Sequence, residues 1–95
     1  MHNKLTDLYN AVIADNGMEV QKILSDDLLA KTRISTKIIT GILIIAIENR
    51  LINAGKAILT HNTHAKEKIA DTNLNAIMRL ATKSHLLGQF KVTYH

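Results

Sequence analysis

The chain has 95 residues, of which 46% are hydrophobic and 21% charged, and it contains no cysteine. This composition is typical of one folded domain and excludes a disordered chain, disulfides, thiol catalysis and cysteine-bound metal. The formal net charge of +4 is unevenly divided, since residues 1–27 carry a net charge of −3 and residues 28–95 a net charge of +7. The basic residues are spaced singly, which favours a solvated surface over a nucleic-acid site.

The N-terminal residues contain no apolar stretch of the kind that forms a secretory signal. The longest apolar run, residues 38–47, is interrupted by Thr40 and Gly41 and is followed by Glu48. It is much shorter than the roughly 20 residues that a membrane-spanning helix needs. We therefore expect no membrane partner. The expected location is the cytoplasm, or a host cell reached by a secretion route without such a signal.

Two short amphipathic helices are predicted in the first 24 residues. Their apolar residues recur at helical spacing, at Leu5, Leu8, Val12 and Ile13 and then at Met18, Val20, Ile23 and Leu24. Thr6 and Asp7 fit the cap or first turn of the first helix. Asp15, Asn16 and Gly17 fit its end, because Asn and Gly tolerate the left-handed conformation. Such a short linker predicts an antiparallel helix pair.

Residues 38–59 predict a second and more apolar pair, with a turn at Glu48, Asn49 and Arg50. The first half of this stretch is apolar on every side, so it is expected to be covered by protein. Its many β-branched residues also fit a buried strand. A helix is favoured because the chain offers no second strand of similar strength, and a lone strand leaves its backbone groups unpaired.

A third pair is predicted after a polar connector. Asp71 or Thr72 fits the cap of the fifth helix, and Leu86, Leu87 and Phe90 mark a sixth. The fold class is therefore all-α, with three stacked antiparallel helix pairs in one domain of residues 1–95. The units lie near residues 5–24, 38–59 and 73–90. An irregular helical bundle is the alternative.

The first two units match at a constant offset. Ala46 follows Ala11 by 35 residues, and Leu59 follows Leu24 by 35 residues. The third unit is looser, with Ala76 placed 30 residues after Ala46. Periods of this size are typical of solenoids built from helix pairs.

The first unit resembles the ankyrin-repeat family. Residues 16–24, NGMEVQKIL, are similar to the second-helix signature of that family. Thr6, Asp7 and Leu8, together with Ala11, are placed like its Thr-Pro-Leu motif and helix-one alanine. Departures are the lack of proline, of a Gly-Ala-Asp turn and of the hairpin glycines. The resemblance implies a degenerate ankyrin-like solenoid that binds another protein through inner-helix edges and connectors.

Side chains suited to chemistry are few and poorly grouped. His61, His64 and Glu67 are spaced three apart, but they lie in a polar connector without a convincing fourth ligand, so no metal site is expected. Ser84 and His85 are sequence neighbours, and neighbouring side chains on a helix point in different directions. We expect no enzyme activity and no cofactor.

Nucleic-acid binding is the second hypothesis. Lys31, Arg33, Lys37 and Arg50 fit one edge, and nearby hydroxyl groups can contact phosphates. However, three aromatic residues are too few for base stacking. A helix-turn-helix at residues 42–59 would present mostly apolar groups to a DNA groove.

The favoured function is therefore a non-enzymatic protein–protein interaction module. Its alternatives are a small basic regulator that binds nucleic acid and a unit that forms homo-oligomers through its terminal helices. The residues expected to bind the partner are Tyr9, Asn10, Arg33, Lys37, Ile44 and Asn75.

Overall fold

The computed structural model describes residues 3–83, which form five α-helices and no strand. The helices are α1 Lys4–Ile13, α2 Gly17–Leu28, α3 Thr36–Glu48, α4 Ile52–His64 and α5 Asp71–Lys83. The all-α class is confirmed, and the strand alternative for the central apolar run is wrong. The predicted sixth helix, with Leu86, Leu87 and Phe90, lies outside the described residues.

Short polar side chains cap the first three helices. The side chain of Asn3 accepts hydrogen bonds from the backbone of Leu5 at 2.9 Å and of Thr6 at 3.5 Å. Asn16 caps α2 and Ser35 caps α3 in the same way. Each cap satisfies a backbone donor that has no partner inside the helix. The cap of α1 is thus Asn3 and not Thr6, while Asp7 lies in the first turn.

The two helix pairs turn with the same backbone geometry. Asp15 has φ 53° and Arg50 has φ 57°, and these two left-handed residues are 35 positions apart. The N–H of the next residue reaches back to a buried alanine carbonyl, from Asn16 to Ala11 at 2.9 Å and from Leu51 to Ala46 at 2.8 Å. This is a Schellman ending. The first helix ends where the sequence predicts. The residue that adopts the left-handed conformation there is Asp15, and not Asn16 or Gly17.

Each odd-numbered helix packs beside the next one. Helix α3 contacts both α1 and α5, while α2 packs against α4. The contact between the first two pairs is close where their turns meet. Asp15 accepts hydrogen bonds from Ala54 N at 2.9 Å and from the side chain of Asn53 at 3.3 Å. Because the N-cap residue Leu51 makes no side-chain hydrogen bond, Asp15 supplies α4 with a cap from the neighbouring pair.

The register of the third unit differs from the sequence prediction. Helix α5 begins 35 residues after α3. Ala81 is fully buried, like Ala46 before it, whereas Ala76 is exposed. The counterpart of Ala46 is therefore Ala81, and the offset of 30 residues is wrong. Buried alanines at Ala11, Ala46 and Ala81 then recur at one constant spacing.

One hydrophobic core joins all five described helices. Its most buried large side chains are Leu8, Val12, Val20, Leu24, Leu43, Ile47, Ile58 and Leu59. The expectation that α3 is covered on every side is wrong, because Ile38 is 40% exposed and Gly41 is also exposed. Leu29, just beyond the end of α2, is also outside the core, since it is 89% exposed.

Two glycines are expected to respond in opposite directions to alanine. A Cβ on Gly17 would lie 2.9 Å from the carbonyl oxygen of Asn53, so Gly17→Ala should destabilise the fold by about 1–3 kcal/mol. A Cβ on Gly41 meets nothing within 4 Å, so Gly41→Ala in the middle of α3 should stabilise it by about 0.5–1 kcal/mol. Urea denaturation measures both. A Gly17→Ala protein as stable as the parent would show that the two turns do not approach so closely.

Candidate protein-binding surface

The exposed side of α1, α3 and α5 carries several apolar residues, and two pairs of them, Tyr9 with Ile44 and Ile45 with Leu80, are 35 residues apart. On α1, Tyr9 is 45% exposed and Ile13 is 49% exposed. Thirty-five residues after Tyr9, Ile44 is half-buried on α3. We call this surface the α1–α3–α5 face, and its residues are Tyr9, Asn10, Ile13, Ile38, Gly41, Ile44, Ile45, Ala76 and Leu80. Since α3 packs against both neighbours, the three strips adjoin.

A groove between α3 and α5 opens on this face. It has a volume of about 140 Å³ and is lined by Thr40, Ile44, Asn73, Ala76, Ile77 and Leu80. A volume of this order accommodates one benzene-sized group. The exposed alanine at its centre leaves room that a larger residue would fill. The groove therefore suits a single aromatic or branched aliphatic side chain of a partner.

The exposed sides of α2 and α4 are different in character. They consist mainly of polar and charged side chains, among them Glu19, Gln21, Lys22, Ser25, Asp26, Asn53, Thr63 and His64. The exceptions are Met18, at the start of α2, and Leu29, just beyond its end. Three of the five large apolar side chains that are exposed among residues 3–83 therefore lie on the odd-numbered helices, whereas Met18 and Leu29 lie singly at opposite ends of α2.

The six residues predicted to bind a partner fall into three places. Tyr9, Asn10 and Ile44 lie on the α1–α3–α5 face. Arg33 is exposed in the connector before α3, and Lys37 is exposed in the first turn of α3. Asn75 is also exposed but lines a separate cleft of about 460 Å³ beside Asn62 and Thr63 of α4.

Sequence reasoning missed six members of the face. Gly41 and Ile45 were missed because the first half of residues 38–59 was expected to be covered on every side. Ile13 and Ile38 were assigned to the core pattern because an apolar residue at helical spacing usually faces inward. Ala76 and Leu80 were missed because the third unit was aligned with the wrong offset. The signal was available, since Leu80 stands 70 residues after Asn10 and Ile45 lies midway between them.

A buried carboxylate ties α2 to the connector that follows it. Asp27 is 2% exposed, and its two oxygens accept the backbone N–H of Ile34 at 3.0 and 3.2 Å. Lys4 forms an ion pair with Asp27 and donates to the carbonyl of Thr32 at 2.8 Å. We call this arrangement the Asp27 clasp. It satisfies every polar group that it buries, which indicates a structural role.

The second unit contains an equivalent clasp without charge. The side-chain oxygen of Asn62 accepts the N–H of Ile69 at 2.9 Å. Asn62 follows Asp27 by 35 residues, and Ile69 follows Ile34 by the same distance. The same hydrogen bond therefore closes both connectors. A cation accompanies it where the acceptor is a carboxylate.

His61 is buried, and it lines the same small cavity as Asp27. Burial lowers the pKa of His61 below its ordinary value of 6.5, although Asp27 opposes the shift and His64 adds to it. Among residues 3–83, no three His, Asp or Glu side chains are grouped so as to bind a metal ion. His64 is exposed while His61 faces the interior, so the pair does not converge on one surface.

Stability is expected to decrease as the pH falls below about 6.5. The lowered pKa means that the unfolded chain takes up a proton at a pH where folded His61 remains neutral, and this favours unfolding. The full stabilising contribution of neutral His61 is present above the pKa that His61 has in the unfolded chain. It is lost as the pH falls through the lower pKa of His61 in the folded protein. Denaturant titrations between about pH 5 and 8 measure how steeply the free energy of unfolding changes with pH. His61→Gln should reduce this slope and exposed His64→Gln should change it less; equal slopes in the parent and His61→Gln would contradict the assignment.

None of the helices within the described residues is long and apolar enough to cross a membrane. Comparison with protein-family models, with curated proteins and with solved structures finds no match to this chain.

Proposed function

We propose that the chain is a non-enzymatic, ankyrin-like helix-pair repeat domain that binds another protein through its α1–α3–α5 face. The repeat reading is supported by one spacing of 35 residues, which relates the left-handed turn residues, the two clasps and the buried alanines. Stacked helix pairs of this size bury a continuous core and leave one row of helices available for binding. The connectors differ from the ankyrin pattern, since residues 29–35 and 65–70 contain no strand.

The observation that carries this proposal is the group of exposed apolar side chains on α1 and α3, together with the open groove between α3 and α5. Tyr9 and Ile13 are each nearly half exposed, and Ile44 lines an open groove. Aromatic and aliphatic residues around a small pocket are the usual anchors of a protein interface. On the exposed side of α2 the comparable residue is Met18, which is 85% exposed at the start of the helix. Tyr9 and Ile13 lie on α1, on the other side of α3 from this groove, so a partner that covers all three places spans α3.

Site-specific photo-crosslinking in cells tests the proposal. A photoreactive residue placed at Ile38, on the face, is expected to capture a partner that the same residue at Lys22 of α2 does not capture. Tyr9→Asp with Ile13→Asp should abolish capture, because two charges would be desolvated on binding. The matched control, Met18→Asp with Leu29→Asp, changes two residues that are 85% and 89% exposed and should leave capture intact.

Two outcomes would contradict the proposed function. One is capture that is equally strong from Ile38 and Lys22, or that survives the Tyr9 and Ile13 substitutions. The other is capture of a second copy of the chain alone, accompanied by a dimer mass in light scattering. That second result would identify the face as a homo-oligomer contact.

A further inference from the structure

The two connectors of the chain lie against each other although they are far apart in sequence. The hydroxyl of Thr36, at the start of α3, donates to the carbonyl of Glu67 at 3.4 Å. A small cavity of about 30 Å³ is bounded by Arg33, Ile34 and Thr36 on one side and by Ala65, Lys66 and Glu67 on the other. The connector before α3 and the connector before α5 therefore form one continuous edge.

Cations recur along this edge with the period of the fold. Lys66 follows Lys31 by 35 residues, and Lys68 follows Arg33 by 35 residues. With Lys37 they make five exposed basic side chains, which we call the basic edge. For none of the five does the structure of residues 3–83 show an ion pair or a side-chain hydrogen bond. Lys4, by contrast, forms an ion pair with Asp27.

The positive charge of the basic edge is balanced by few carboxylates within the edge. Glu67 is the one carboxylate among residues 29–37 and 65–70. Five like charges held on the two adjoining connectors and the first turn of α3 repel one another and create a positive potential that extends about 10 Å at 0.1 M salt. An anionic ligand would remove that repulsion and gain the attraction.

The basic edge meets the α1–α3–α5 face at the start of α3. Lys37 and Ile38 are consecutive and both exposed, so a cation of the edge adjoins an apolar residue of the face. We propose that the basic edge binds an acidic segment of the protein partner whose apolar residues occupy the α1–α3–α5 face. This inference rests on the proposed function and specifies the chemistry of its partner: carboxylates beside aliphatic or aromatic side chains.

A polypeptide fits these observations better than a nucleic acid does. Tyr9 is the one aromatic residue between positions 3 and 83, and it lies on α1, so the edge has no stacking platform for bases. Helix α4, the candidate recognition helix, buries Ala54, Gly55, Ala57, Ile58 and Leu59 and has little surface to place in a groove.

Three matched fluorescent peptides test the inference by anisotropy. The first alternates Glu pairs with Leu, the second replaces every Glu with Gln, and the third replaces every Leu with Ser. A mixed-sequence DNA duplex and a single-stranded RNA of similar charge are the nucleic-acid probes. Titrations at about 20 mM and about 200 mM salt measure the electrostatic share of binding, because screening increases over that range.

Charge reversal of two cations at matched positions provides the variants. Lys31→Glu with Lys66→Glu alters the basic edge and should weaken binding of the Glu and Leu peptide about five- to tenfold at low salt. Lys22→Glu with Arg50→Glu produces the same change in net charge elsewhere and should alter binding less than about twofold. Lys31→Gln with Lys66→Gln should give a smaller loss. Circular dichroism verifies that all three variants are folded.

The outcomes separate this inference from the proposed function. Weaker binding of both the Gln and the Ser peptides supports both. Equal binding of the Glu peptides with Leu and with Ser, lost in the edge variant, supports the basic edge and contradicts the apolar face. Equal binding of the Leu peptides with Glu and with Gln overturns the basic edge and leaves the face standing. Nucleic acid bound more tightly than any peptide, and released by the edge variant, overturns the acidic partner.

Discussion

Ala46→Asp is expected to prevent the domain from folding. Ala46 is fully buried on α3, and its carbonyl accepts the hydrogen bond that ends the helix. A carboxylate there would lose its hydration and has no cation within the apolar core to pair with. A penalty of several kcal/mol is comparable to the total stability of about 5–15 kcal/mol that small domains possess. The variant should show no cooperative thermal transition by circular dichroism.

Two further substitutions make this a test of the repeat register. Ala81→Asp should be as damaging as Ala46→Asp, because the structure places Ala81 at the equivalent buried position of α5. Ala76→Asp, five residues earlier on the same helix, should cost less than about 1 kcal/mol, since that position is exposed. If Ala76→Asp unfolded the protein and Ala81→Asp did not, the offset of 30 residues would be correct.

The first two units were readable from sequence because their signals are local. Asp15, Asn16 and Gly17 mark a turn within a few residues, and Ala11 with Leu24 sets a spacing that the second unit repeats. The third unit was misaligned because alanine alone carries no information on burial. Ala76 and Ala81 are both compatible with a helix, and only the packing of Leu74 and its neighbours against α3 decides which alanine is inside.

The clasp and the basic edge were not readable because they depend on contacts between distant residues. Asp27 looks like a solvated connector residue until folding brings Lys4 to it across 23 positions. The cations were judged to be scattered because Lys31 and Lys66 stand 35 residues apart in sequence. Folding places one connector beside the next, and Arg33 and Lys66 then line the same cavity. The spacing of 35 residues therefore predicts the helices, turns and buried alanines better than it predicts which surface residues lie together.

Asp27→Ala is expected to reduce the stability of the domain by about 2–4 kcal/mol. The substitution leaves the half-buried N–H of Ile34 without its acceptor, which costs about 1–3 kcal/mol. It also removes the counter-ion of Lys4, although that side chain is one-third exposed and can regain water, which limits the loss. The buried position additionally becomes a cavity. Urea denaturation of the parent and the variant measures the difference.

The second clasp supplies the control that separates hydrogen bond from charge. Asn62→Ala removes the equivalent acceptor for Ile69 but no ion pair, so its loss of about 1–2 kcal/mol should be smaller than that of Asp27→Ala. Asp27→Asn retains an acceptor and should fall between Asp27→Ala and the parent. Combining it with Lys4→Met in a double-mutant cycle measures the coupling between the two charges. Equal losses for Asp27→Ala and Asp27→Asn would mean that the ion pair, rather than the bond to Ile34, holds the first connector.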